Sequence, residues 1–71
     1  MLKNRFIELR KEKKLSQKAI AENIRIGLRS YQRYEYGERK PDSDVLLAVA
    51  EYYNVSVDYL LGRTDNPEVN K

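Results

Sequence analysis

The sequence predicts an all-α fold of five short helices packed as one small domain. Three observations point there. Apolar residues recur at helical spacing along most of the chain. Capping residues punctuate it at short intervals: Ser16, Asp42 or Ser43, and Ser56 where helices would start, and Gly37, Asn54 and Gly62 where they would end. Only three Gly and two Pro occur, which leaves little for long loops or sandwich turns. Seventy-one residues allow one domain, given that domains take about 100–200 residues each.

The elements follow in order. Leu2, Phe6 and Leu9 stand at i, i+4, i+7 and mark one face of a helix from about Leu2 to Lys13. Lys11, Lys13 and Lys14 load its C-terminal end, where cations suit the helix dipole. Ser16 is placed to cap a second helix over 17–23, with Ala19 where a capping box has Glu. Ile20, Ala21 and Ile24 form its inner face. Arg25-Ile26-Gly27 interrupts that pattern, and a third helix runs from about Leu28 to Tyr36, with Tyr31 and Tyr34 inward. Gly37 closes it, and Pro41 lies in the loop beyond, where it cannot continue a helix. A fourth helix reaches about Tyr53 on the stripe Leu46, Val49, Ala50, Tyr53. A last short helix spans Val57 to Leu61 with Leu60 and Leu61 buried, and Gly62 ends it. The domain is thus expected over 1–62, with 63–71 a flexible C-terminal tail poor in apolar residues.

Composition excludes several classes of function. With no Cys there is neither a disulfide framework nor a thiolate metal site. With no His the commonest metal ligand and neutral-pH general base are missing, so zinc sites, Ser-His-Asp triads and Cys-His dyads are ruled out. Asp42, Asp44, Glu51 and Asp58 are explained by capping and solubility rather than by catalysis. The expectation is a protein that is not an enzyme and takes no cofactor, metal or small-molecule ligand. No apolar run approaches the ~18 residues of a membrane span, and the charged start lacks a signal-like apolar stretch. A cytoplasmic location with no membrane partner follows as the expectation.

Charge is unevenly placed. Residues 1–40 carry twelve Lys/Arg and five Glu, a net of +7, whereas 41–71 carry two Lys/Arg and six acids, a net of −4. A basic half suggests an anionic partner, with nucleic acid first among them. Two short helices joined through Arg25-Ile26-Gly27, the second of them basic, form a helix-turn-helix arrangement over 17–37. With Tyr31 and Tyr34 inward, Leu28, Arg29, Gln32 and Arg33 point outward, and Arg29 and Arg33, four apart, share a face. Arginine pairs bidentately with guanine and glutamine with adenine, while leucine packs on a thymine methyl.

The chain resembles the Cro/repressor (Xre) family of helix-turn-helix regulators. Arg10, Leu15-Ser16-Gln17, Ile20-Ala21, Ile24, Ile26, Ser30, Arg33-Tyr34-Glu35, Gly37, Pro41, Leu46-Leu47, Ala50, Val55-Ser56 and Leu60-Leu61-Gly62 carry the likeness, which covers about residues 4–62. The resemblance implies a compact five-helix, lambda-repressor-like DNA-binding domain. It also implies a transcriptional regulator, most simply a repressor, acting as a homodimer on a pseudo-palindromic operator. It assigns base contacts to Leu28, Arg29, Gln32 and Arg33, and phosphate contacts to Gln17, Ser30, Tyr36, Arg39 and Lys40. Arg10 and Glu35 match a structural ion pair between the first and third helices. Val57, Tyr59 and Leu61 match a region that often forms the dimer contact, and Tyr52 is a further tyrosine off the main stripe.

Three positions depart from the family pattern. Arg25 replaces the usual turn glycine at a position of positive φ, so that either the turn is shifted or Arg25 compensates by reaching a phosphate. Gly27 replaces a Ser/Thr cap, and Ser43 stands where a leucine often enters the core. The alternative function is a protein-interaction module, such as an antitoxin or anti-regulator, built on the same fold.

Overall fold

The structure, a computed structural model, describes residues 5–68. Five helices follow in order: α1 (Phe6–Glu12), α2 (Gln17–Asn23), α3 (Leu28–Glu35), α4 (Ser43–Tyr53) and α5 (Val57–Leu60), with no strand among the described residues. The start of the first helix differs from the expected one. Its first described turn begins at Phe6, and Leu2 lies outside the described residues.

Three starts are built alike. The side chains of Ser16, Asp42 and Ser56 accept the backbone N–H three residues on, at 3.0, 2.9 and 3.1 Å. Each satisfies a donor the helix itself leaves unpaired, an interaction whose loss costs about 1 kcal/mol. Asp42, not Ser43, caps α4, and Ser43 is its exposed first residue. Gly27 starts α3 with extended backbone and no side-chain bond.

All five helix ends share one device. A residue in left-handed conformation follows the last turn, and the next N–H reaches back five residues, as in a Schellman motif. The left-handed residues are Lys14, Arg25, Gly37, Asn54 and Gly62, with φ between 56° and 75°. The returning bonds are Leu15 N to Arg10 O, Ile26 N to Ala21 O, Glu38 N to Arg33 O, Val55 N to Ala50 O and Arg63 N to Asp58 O, at 2.9–3.0 Å. Arg25 therefore occupies the positive-φ position itself, at 60°, and the turn is not shifted. Lys14 adopts the same conformation although no glycine marks the site.

These turns fold the helices around Phe6, Leu9, Ile20, Ala21, Tyr31, Tyr34, Val45, Val49, Ala50, Tyr53, Val55 and Leu60. Phe6 and Tyr31 stack, with ring centroids 6.1 Å apart. The buried row of α4 runs Val45, Val49, Tyr53, with Ala50 beside it, rather than starting at Leu46. Leu46 packs at the flank of that row and Leu47 is 52% exposed. Of Leu60 and Leu61 only Leu60 is sealed. Neighbouring helical residues point about 100° apart, so one core cannot take both.

The segment expected to be a loose tail makes defined contacts over 63–68. Ser56 N–H donates to Pro67 O at 3.0 Å, and Arg5 donates to Asp65 Oδ1 at 2.9 Å and to Thr64 O at 3.3 Å. Backbone donors, the Arg5 guanidinium and the Arg63–Asp58 ion pair at 3.9 Å hold it where apolar burial does not. No helix among the described residues is long and apolar enough to cross a membrane.

Candidate nucleic-acid interface

The α2–turn–α3 unit is held from beneath by its own aromatic residues. Tyr31 and Tyr34 are buried on the inner face of α3. Its outer face shows Leu28, Arg29 and Arg33, with Leu28 39% exposed. The Schellman turn at Arg25 buries part of Ile24 and Ile26 against the core while the Arg25 side chain stays in solvent. Tyr36, 60% exposed, and exposed Arg39 and Lys40 follow α3. The structure therefore leaves Leu28, Arg29, Arg33, Arg25, Tyr36, Arg39 and Lys40 open to a ligand. Gln17, Ser30 and Gln32 are half-buried.

Behind this face lies a polar cluster. Arg10 Nε and Nη2 donate to the two carboxylate oxygens of Glu35 at 2.6 and 3.3 Å, and Arg10 Nη1 donates to Leu15 O at 3.0 Å. The guanidinium thereby ties α1, the chain leading into α2, and α3 together. Glu35 is also reached by Gln17 Nε2, which donates to Oε1 at 3.0 Å and to the Tyr36 hydroxyl at 3.4 Å. Gln32 Nε2 in turn donates to Gln17 Oε1 at 3.0 Å. Both Gln17 amide hydrogens are thus engaged inside the protein, which leaves only its backbone N–H for the phosphate contact assigned to it.

Electrostatics fix the charge state of the cluster. Burial alone raises the Glu35 pKa, but hydrogen bonds led by Arg10 and joined by Gln17 outweigh it and hold the carboxyl below its ordinary range. The Glu35 hydrogen bond in turn raises the pKa of Arg10, against the opposing effect of burial. Burial pushes the Tyr31 hydroxyl upward, with the Glu35 carboxylate adding to the effect, and pushes Tyr53 up to about 12.

Val57, Tyr59 and Leu61 are all half-buried. Tyr59 packs on the core and carries the Arg5 guanidinium 4.1 Å above its ring, so one face of it is already occupied. Tyr52 lies edge-on to Tyr53, and its hydroxyl accepts from Asn23 Nδ2 at 3.0 Å. Sequence reasoning missed the Gln17–Gln32 bond and the Arg5–Tyr59 stack. The first had a signal: Gln32, Glu35 and Tyr36 stand at i, i+3, i+4 and share the face of α3 that meets the start of α2.

Comparison with known proteins agrees with this geometry. The Helix-turn-helix family model matches residues 6–60. The chain belongs to the Cro/repressor (Xre) family of helix-turn-helix regulators. It is 47% identical over 64 residues to an uncharacterized HTH-type transcriptional regulator, YobD, of Bacillus subtilis, covering 90% of this chain and 57% of that protein. It is 40% identical to the HTH-type transcriptional regulator ImmR of the same organism, over 99% of this chain and 55% of ImmR. The cryptic phage CTXphi transcriptional repressor RstR of Vibrio cholerae is 37% identical, over 87% of this chain and 55% of RstR. A crystal structure of a transcriptional regulator from Listeria innocua superposes with a TM-score of 0.76 at 33% identity, covering 94% of this chain and 58% of that one. The chain thus spans a little over half the length of the curated relatives it matches. The Xre family is one of transcriptional regulators and not of enzymes.

Proposed function

We propose that this Xre-family chain is a sequence-specific double-stranded-DNA-binding regulator, a repressor acting in the cytoplasm as a homodimer on a pseudo-palindromic operator. One observation carries the reading. The second helix of the helix-turn-helix buries Tyr31 and Tyr34 and turns Leu28, Arg29 and Arg33 to solvent. A major groove ~12 Å wide admits one helix of ~10–12 Å diameter, and this helix keeps a free basic face for it. Leu28, Arg29, Gln32 and Arg33 read base edges. Arg25, Ser30, Tyr36, Arg39, Lys40 and the Gln17 backbone meet phosphates, which position the protein without specifying sequence. The kinship with a phage transcriptional repressor supports repression. Val57, Leu61 and the uncovered part of Tyr59 form the row offered to a two-fold contact.

Selection from a random duplex library with the purified chain tests this. An enriched inverted repeat, with half-sites about one helical turn (~34 Å) apart, is the expected result. No enrichment contradicts it and favours the second reading, a protein-interaction module. That reading rests on exposed Leu47 beside the α4–α5 groove lined by Ala50, Val55 and Val57.

A further inference from the structure

The hydrogen bonds behind α3 have a direction. A carboxylate only accepts, so Glu35 obliges Gln17 to turn its Nε2 inward, at 3.0 Å from Oε1. The second Gln17 amide hydrogen points to the Tyr36 hydroxyl at 3.4 Å, so only the Gln17 carbonyl oxygen remains for Gln32. Gln32 must answer with an N–H, and it does, at 3.0 Å. Flipping either amide sets oxygen against oxygen. Arg10 holds the start of the chain through Nε at 2.6 Å, and the Glu35 side chain is 1% exposed, so no water is needed to complete it. The Gln32 amide is left with one N–H and a carbonyl oxygen unspent.

We infer that Glu35, acting through Gln17, fixes which edge of the Gln32 amide faces the groove, and so sets an adenine preference at the base pair that Gln32 meets. Adenine presents an acceptor at N7 beside a donor at N6, which matches the donor and acceptor that Gln32 retains. Gln17 is a positioning residue for that reading, and Glu35 positions Gln17. The inference rests on α3 being the helix that enters the groove.

The test measures binding of the wild type, Gln17→Met, Gln32→Ala and the double variant to the selected site and to its single-base variants. Methionine keeps the length and the apolar stem of Gln17 and removes the amide. Both single variants are expected to lose the adenine preference at the same one position, by about fivefold or more, with the other positions unchanged. The double variant adds no further loss, because the two act as a unit. A purely structural role for Gln17 instead lowers affinity for every sequence alike, which overturns the relay. The wild type without DNA gives a second readout by NMR. One Gln32 side-chain amide proton exchanges slowly and the other fast, and Gln17→Met makes them equal. Two equally fast protons in the wild type overturn the relay, as does a guanine or cytosine selected at the Gln32 position. A motif that Gln32→Ala relaxes at one position and Gln17→Met leaves intact overturns the relay alone. A wild type that enriches no motif overturns the groove reading, and the relay with it.

Discussion

Two arginines bridge distant parts of this chain, and their surroundings make them different interactions. Arg10 meets Glu35 at 2.6 Å, with side chains 16% and 1% exposed. Arg5 meets Asp65 at 2.9 Å, but that carboxylate is fully exposed. The distances are similar, and the solvent is not. Water screens the Arg5 pair, and Asp65 keeps its hydration whether or not Arg5 is there. Glu35 has no such refuge, so loss of Arg10 leaves a buried charge unpaired. The inner pair also stands behind the outward face of α3, whereas the outer one joins the start of α1 to the segment after α5.

The largest effect is therefore expected from Arg10→Met, which should destabilise the domain by about 3–5 kcal/mol in chemical denaturation. That is a large part of the ~5–15 kcal/mol that native proteins have in all. Adding Glu35→Leu should recover much of the stability, because an apolar pair needs no compensation. A single variant as stable as the wild type breaks the contrast between the pairs. Acid should act in the same direction. The Glu35 pKa is lowered on folding, so its contribution is present above the ordinary 4.5 and is lost as pH falls below that value through the folded one. Tyr53 has the opposite sign. Its pKa rises from 10 to about 12, so its contribution is full below pH 10 and lost as pH rises towards about 12. Melting temperatures across pH should fall at both ends.

Smaller effects come from the strained turns. Lys14 and Arg25 hold left-handed backbone at φ 56° and 60°. Glycine relieves the strain of ~1–2 kcal/mol but loses more chain entropy, so Lys14→Gly and Arg25→Gly should each stabilise by up to about 1 kcal/mol. Only Arg25→Gly should also weaken DNA binding, lowering the salt-dependence slope by about 0.9 for one lost phosphate contact. Asp65→Asn should be smallest of all, leaving the melting temperature within the scatter of replicate melts and DNA binding untouched.

What the sequence revealed, it revealed through local chemistry. Ser16, Ser56 and the pair Asp42-Ser43 precede apolar periodic runs and so mark helix starts, and Tyr31 and Tyr34 are inward because they share a helical face, whereas the choice of Asp42 over Ser43 needed the structure. The departures need tertiary information. Val45 displaces Leu46 from the buried row because the orientation of α4 on the core, not the spacing alone, chooses which edge of a broad apolar face is sealed. Lys14 takes a left-handed turn without a glycine because Leu15 must return to Arg10 O and tuck against the core. The amide chain from Glu35 to Gln32 joins residues 15 and 18 apart in sequence, and only the packing of α2 on α3 brings them together. The outward face of α3 was legible, whereas the fixed direction of one of its amides was not.

If the exposed face of α3 reads bases while the loop after it grips the backbone, the two surfaces must respond differently to substitution. Binding of Arg33→Ala and Arg39→Ala to the selected operator and to random duplex, across a range of salt, tests it most directly. Arg33→Ala should lose about 1–3 kcal/mol on the operator and relax one base pair. Arg39→Ala should weaken both duplexes equally and flatten the salt slope by about one. Equal losses on operator and random duplex from both substitutions would contradict the assignment of α3 as the reading helix.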